Sequence, residues 1–143
     1  MTDLEKMVQW LKTYPGWQDM PLTIDYTEPQ PVNGGLFPLG MEILSRREDV
    51  LGNVWLHCRS RFTLFRSCSG QADNTENAQW LLDFQNWVLE CSALHRTPRF
   101  GDVPEREHLH AEKGRLKEAS QTGTGLYAVT LTAEYVKKYP AEG

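Results

Sequence analysis

Apolar residues recur at two distinct spacings along this chain. Leu4, Met7, Val8 and Leu11 fall on one helical face behind Thr2 and Glu5, a capping-box pair, and predict a short helix that ends at Tyr14-Pro15-Gly16. A second capping box, Asp73 with Glu76, opens a longer helix running to Glu90. At about 100° per residue, Trp80, Leu81, Phe84, Trp87, Val88 and Cys91 form its core stripe. Leu82 and Leu89 fall on nearly the opposite side, among Asp83, Gln85, Asn86 and Glu90. Either a neighbouring element of the same chain covers them, or another subunit does.

The two-residue period marks the strands. Leu22, Ile24 and Tyr26 alternate with more polar or small neighbours over residues 21 to 27. Residues 41 to 50 and 54 to 68 are extended runs around Leu51-Gly52-Asn53, a tight-turn sequence, and predict a long hairpin. In its second strand Val54, Leu56, Cys58, Ser60, Phe62 and Leu64 alternate with Trp55, His57, Arg59, Arg61, Thr63 and Phe65, so one face is a core face. The other face holds Arg59 and Arg61, with Arg46, Arg47, Glu48 and Asp49 on the first strand. That pattern suits cross-strand ion pairs on a solvated face or, alternatively, a charged subunit interface. Leu126 to Val136 alternates cleanly and is a further strand. Residues 104 to 118 start like a helix at Pro104 but lack a helical stripe, and are read as a strand, with Gly114 a candidate bulge.

Residues 28 to 40 hold Pro29, Pro31, Gly34, Gly35, Pro38 and Gly40, and predict a long loop carrying Val32, Leu36 and Phe37. These side chains either tuck over the core edge or order against a partner. Residues 137 to 143 are expected to be a disordered tail. The whole order predicts one α+β domain over residues 1 to 143: a mostly antiparallel sheet of about four to five strands with two main helices packed on one face.

A chain of 143 residues suits a single domain. Its net charge of −4, with both signs interspersed, disfavours sequence-independent nucleic-acid binding. No apolar run nears the ~20 residues of a bilayer span, and the first residues lack the marks of a signal peptide, so a cytoplasmic location is expected. Cys58, Cys68 and Cys91 are odd in number and widely spaced, which fits reduced thiols.

Candidate chemistry is sparse. His108 and His110 alternate on a strand and would place two imidazoles on one side, with Glu112 continuing the row; this is the pattern a small metal-dependent enzyme would need. An exposed strand face also supplies such rows without function. Cys91 and His95 stand one helical turn apart, yet Cys91 sits in the apolar stripe, where a thiol is an inert small hydrophobe. His57 and Cys58 face opposite ways on one strand. No phosphate loop or nucleophile elbow appears, and five tryptophans without a basic groove make a poor base-stacking platform. Neither a cofactor nor a reaction centre is expected. A host module that binds a peptide or small ligand through the 28 to 40 loop is a further possibility.

Three segments together, Leu44-Ser-Arg-Arg-Glu-Asp-Val-Leu-Gly-Asn53, Trp80-Leu-Leu-Asp-Phe-Gln-Asn-Trp-Val88 and Ala119-Ser-Gln-Thr-Gly-Thr-Gly-Leu-Tyr-Ala-Val-Thr-Leu-Thr-Ala-Glu-Tyr135, resemble a family of small prophage proteins, the minor tail or minor capsid proteins. The element order is also similar to that of tail terminator proteins of long-tailed phages. The resemblance implies a non-enzymatic virion part that assembles as a ring, six copies matching tail symmetry, between the tail-tube protein and the head connector. It implies assembly in the bacterial host cytoplasm, then residence in the virion tail, with DNA passing through the ring and no membrane contact. It transfers no active-site residues. The long hairpin and the outer side of the central helix become the expected contact regions, through Leu82, Leu89, Arg46, Arg47, Arg59, Arg61, Leu36 and Phe37. The four arginines could make one surface locally basic, whereas an acidic protein around a DNA passage would resist adhesion to the duplex.

Overall fold

The structure, a computed structural model, describes residues 1–17, 22–24, 33–69, 74–112, 115–119 and 124–142. Three strands of 16 residues each form the body of the sheet: β2 (Asn33–Glu48), β3 (Val54–Ser69) and β6 (Thr124–Tyr139). β3 lies between the other two and is antiparallel to both. β1 (Leu22–Ile24) runs parallel to β2 beside residues 34 to 36. β4 (His108–Ala111) and β5 (Arg115–Ala119) follow one another along the far edge of β6, opposite residues 131–134 and 125–128. The six strands thus fill five positions, antiparallel except for β1 with β2, in the α+β arrangement that the hydrophobic periods predict.

Alternation along β3 decides which face is covered. Cys58, Phe62 and Leu64 are buried, and the register sets them opposite Tyr135, Leu131 and Val129 of β6, which are buried too. Side chains directly opposite in a ladder share a face, so these two strands present one apolar surface. α1 (Asp3–Leu11) and α2 (Asn74–Ala93) lie on it. Met7, Trp10 and Leu11 from α1 and Leu81, Phe84, Val88 and Cys91 from α2 join the strands in one core cluster. Each fully buried Leu, Phe or Met there contributes roughly 1.5–3 kcal/mol of transfer free energy. Aromatic rings seal the contact between the helices. Trp10 stacks on Trp87 with centroids 4.6 Å apart, and Tyr14 meets Trp80, Phe84 and Trp87. The indole N–H of Trp10 donates to the Arg96 carbonyl at 2.8 Å, and that of Trp80 to the Gly16 carbonyl at 3.0 Å, so each ring is fixed at both ends.

Local chemistry sets the element ends. The Thr2 hydroxyl accepts from the Glu5 N–H at 3.2 Å, the predicted cap of α1. The cap expected at Asp73 lies outside the described residues. α2 stops where His95 enters the left-handed region at φ 56°, with the Arg96 N–H returning to the Cys91 carbonyl at 2.8 Å. In the hairpin, Asp49 Oδ1 accepts from the N–H groups of Leu51 and Asn53, while Gly52 takes the positive φ of 88° that the turn requires. These bonds hold the Asp49 carboxyl below its usual pKa, the Asn53 side chain contributing most.

Several boundaries differ from expectation. Residues 33 to 40 are not loop: β2 begins at Asn33, and of the two readings for Leu36 the structure shows the one against the core, where it is fully buried. The sequence rule that Gly and Pro break structure fails here because β1 pairs with β2 only at residues 34 to 36, because Pro38 lies beyond that pairing, where β2 has a described neighbour on one side alone, and because a register shift between Pro38 and Gly40 absorbs the irregularity. The part of that loop from 28 to 32, including Val32, lies outside the described residues. The single strand expected over 104 to 118 is a one-turn 3-10 helix at Pro104–Arg106 followed by two short strands, and Gly114 lies outside the described residues. The tail is shorter than expected, because Lys137, Lys138 and Tyr139 belong to β6 and pair with Leu56, Trp55 and Val54. No helix among the described residues is long and apolar enough to cross a membrane.

Candidate interaction surfaces

Among the described residues, two surfaces besides the hairpin-turn pair Val50 and Leu51 expose apolar side chains in groups. The first lies on β2, where every residue from Leu39 to Glu48 is exposed. Leu39, Met41 and Ile43 show 54–56% of their surface, and Leu44 38%. Phe37, at 44%, is exposed as predicted, whereas Leu36 is not available to a partner. The second lies on the outer side of α2, where Leu82 and Leu89 are 54% and 65% exposed. Among the described residues no element covers these two leucines. They line a groove of about 300 Å3 with Gln85, Asn86, His110 and Ala111, between α2 and β4.

The four arginines divide. Arg59 and Arg61 point to the helix-free face of the sheet as expected, but their carboxylate partner is Glu42, directly opposite Arg59. It accepts at 2.6 Å from Arg59 Nη2 and lies 3.8 Å from Arg61 Nη1. These three residues line a shallow cleft of about 270 Å3 with Leu39, Gly40 and Met41. Arg47 joins that face by stacking on Trp55 at 4.7 Å, beside Lys138 at 5.5 Å from the same ring. Arg46 does not join it. It stands opposite Leu56 on the helix side and pairs with Glu48 at 3.3 Å. The face expected to hold all four arginines therefore holds three, because neighbours on a strand point to opposite sides; the register shift between Ile43 and Ser45 makes Arg47, and not Arg46, the one that joins. Sequence reasoning missed Glu42, whose signal is its two-strand register with Arg59 and not any local motif.

The candidate chemical groups are placed as follows. His108 and His110 sit on one side of β4, both exposed, with Leu109 buried between them. Glu112 falls just beyond the strand, 3.4 Å from the Thr132 hydroxyl that donates to it. Among the described residues no three His, Cys, Asp or Glu side chains come together to hold a metal ion. Cys91 is buried with its thiol pKa pushed up by burial and then by Glu90, the opposite of an activated nucleophile. His95 ends the helix and is exposed. His57 lies 3.5 Å from Glu134 on the helix-free face, while Cys58 is buried on the other, with burial raising its pKa.

No protein-family model matches the chain, and no curated protein does. A solved structure of a protein with no stated function aligns over 96% of this chain and 92% of its own, at 13% identity and a TM-score of 0.43. That likeness is too distant to carry a functional argument.

Proposed function

We propose that this chain is a structural phage protein that completes or terminates the tail tube, assembling as a ring at the head-tail junction. The observation that carries it is the pair of separated apolar surfaces, Leu39–Leu44 on β2 and Leu82 with Leu89 on α2, standing at opposite margins of one sheet. A monomer gains nothing from two such patches, whereas a part that must touch neighbours on both sides requires them. The segments that resemble prophage tail proteins include both the hairpin turn and the α2 stretch that bears Leu82.

Removal of the gene from an inducible lysogen tests this reading. Tails of abnormal length, unjoined to heads under negative-stain electron microscopy, are expected, and purified protein added to the lysate should restore joined particles. Normal, joined virions in the deletion strain would refute it.

A further inference from the structure

The helical layer covers β2 at Leu36 and stops short of its second half. Met41 stands opposite Ser60 and Ile43 opposite Cys58, so both point to the same side of the sheet as those buried residues. The helices of the same chain leave them more than half exposed. We propose that a second copy of this chain seats the outer face of its α2, through Leu82 and Leu89, on the Met41–Ile43 strip, extending the helical layer across β2. The inference rests on the reading of the protein as a self-assembling part.

Three observations select this occupant. The first is dimension. Leu82 and Leu89 are about 10 Å apart along a helix, and Met41 and Ile43 are about 7 Å apart along the strand, so one pair of side chains can cover the other. The second is charge. Arg46 and Lys137, both in register with Leu56, stand beside the strip on the helix side of the sheet. Asp83 and Glu90 flank the two leucines on α2, and both are exposed. Arg46 shares Glu48, but that pair is solvent-exposed and cheap to rearrange. The third is the state of the strand edge. Register shifts at Pro38/Gly40 and Ile43/Ser45 interrupt the hydrogen-bonding rhythm of β2 and make it a poor template for an added strand. Side-chain packing is the mode of contact left to it. Because two different surfaces meet, the association is head-to-tail, and successive copies continue until the rotation closes.

Two variants test the contact: Met41→Asp with Ile43→Asp, and Leu82→Asp with Leu89→Asp, each checked by circular dichroism and followed by sedimentation velocity alone and mixed. Each alone should be monomeric where the wild type associates, its Kd raised on the order of 100-fold. The equimolar mixture should give a 1:1 heterodimer and nothing larger, since each variant keeps the surface the other has lost. Dimers of the Leu82/Leu89 variant alone, a mixture that stays monomeric, or a wild type that stays monomeric up to millimolar concentration would each overturn the proposal. Leu82→Ser with Leu89→Ser replaces the aspartate pair if that variant does not fold. A heterodimer from a protein whose deletion leaves virions normal would keep this contact and remove the tail reading.

Discussion

Glu107 is the only carboxylate buried among the described residues, and it ties down the connector that follows α2. Its Oε1 accepts from the backbone N–H groups of Phe100 at 2.5 Å and Gly101 at 2.6 Å. Burial raises its pKa above the usual 4.5, outweighing those two bonds and the nearby Arg99 and Lys6 charges, which lower it. The native state therefore holds this proton at a pH where the unfolded chain has released it. The resulting stability is fully present below the unfolded pKa and is lost as pH rises through the folded one. Both bonds go to one oxygen, which a glutamine amide supplies without charge. Glu107→Gln should accordingly fold, and in urea titrations it should lack the decline in stability that the wild type shows as pH rises above the ordinary glutamate pKa. Glu107→Ala should lose about 2 kcal/mol, because two backbone donors are left unpaired.

A buried hydroxyl pair joins β3 to β6. Ser60 and Tyr135 share a hydrogen bond of 2.7 Å within the core, among the buried Cys58, Phe62, Leu131 and Ala133. Removing one partner strands the other, so Ser60→Ala and Tyr135→Phe should each cost about 1–2 kcal/mol in thermal or urea unfolding, while the double variant should cost clearly less than their sum. Tyr135 shows how far the sequence was legible at this level. The alternation that set it on the inner face with Val129 and Leu131 is a local signal, as is the stripe of α2, and both were read correctly. Its partner Ser60 could be assigned to a face but not to a neighbour, because register comes from turn geometry some distance away. The same limit explains Glu42 with Arg59, and the misplacement of Arg46 by a bulge that leaves no local mark. The strand around Leu36 is hidden for a different reason: its Gly and Pro residues argue locally for a loop, whereas the pairing of residues 34 to 36 with both β1 and β3, and the one-sided pairing beyond them, are properties of the assembled sheet. Leu82 and Leu89 were legible as residues that the first core does not explain, and Met41 and Ile43 were not, since alternation alone cannot show that a core face runs past the helices meant to cover it.

The sheet is wider than the helical layer that covers it, and this mismatch makes stability a collective property of the molecule. Met41 and Ile43 lie on the core side yet remain more than half exposed, so a free copy forgoes part of the burial its sheet was patterned for. The proposed association would restore that burial in the native state alone, because the unfolded chain has no such surfaces to join. Unfolding is then linked to protein concentration by mass action: at 100 times the dissociation constant the native state gains about 2.7 kcal/mol. For a domain of this size that corresponds to a rise in Tm of roughly 8 °C. Calorimetric scans of the wild type across a range of concentrations should show the midpoint climbing, and the climb should shrink in high salt because the proposed contact sets Arg46 and Lys137 against Asp83 and Glu90. Scans of the Leu82→Asp, Leu89→Asp variant should superimpose at every concentration. A wild-type midpoint that does not move with concentration would mean that the uncovered half of the sheet is stable in water as it stands.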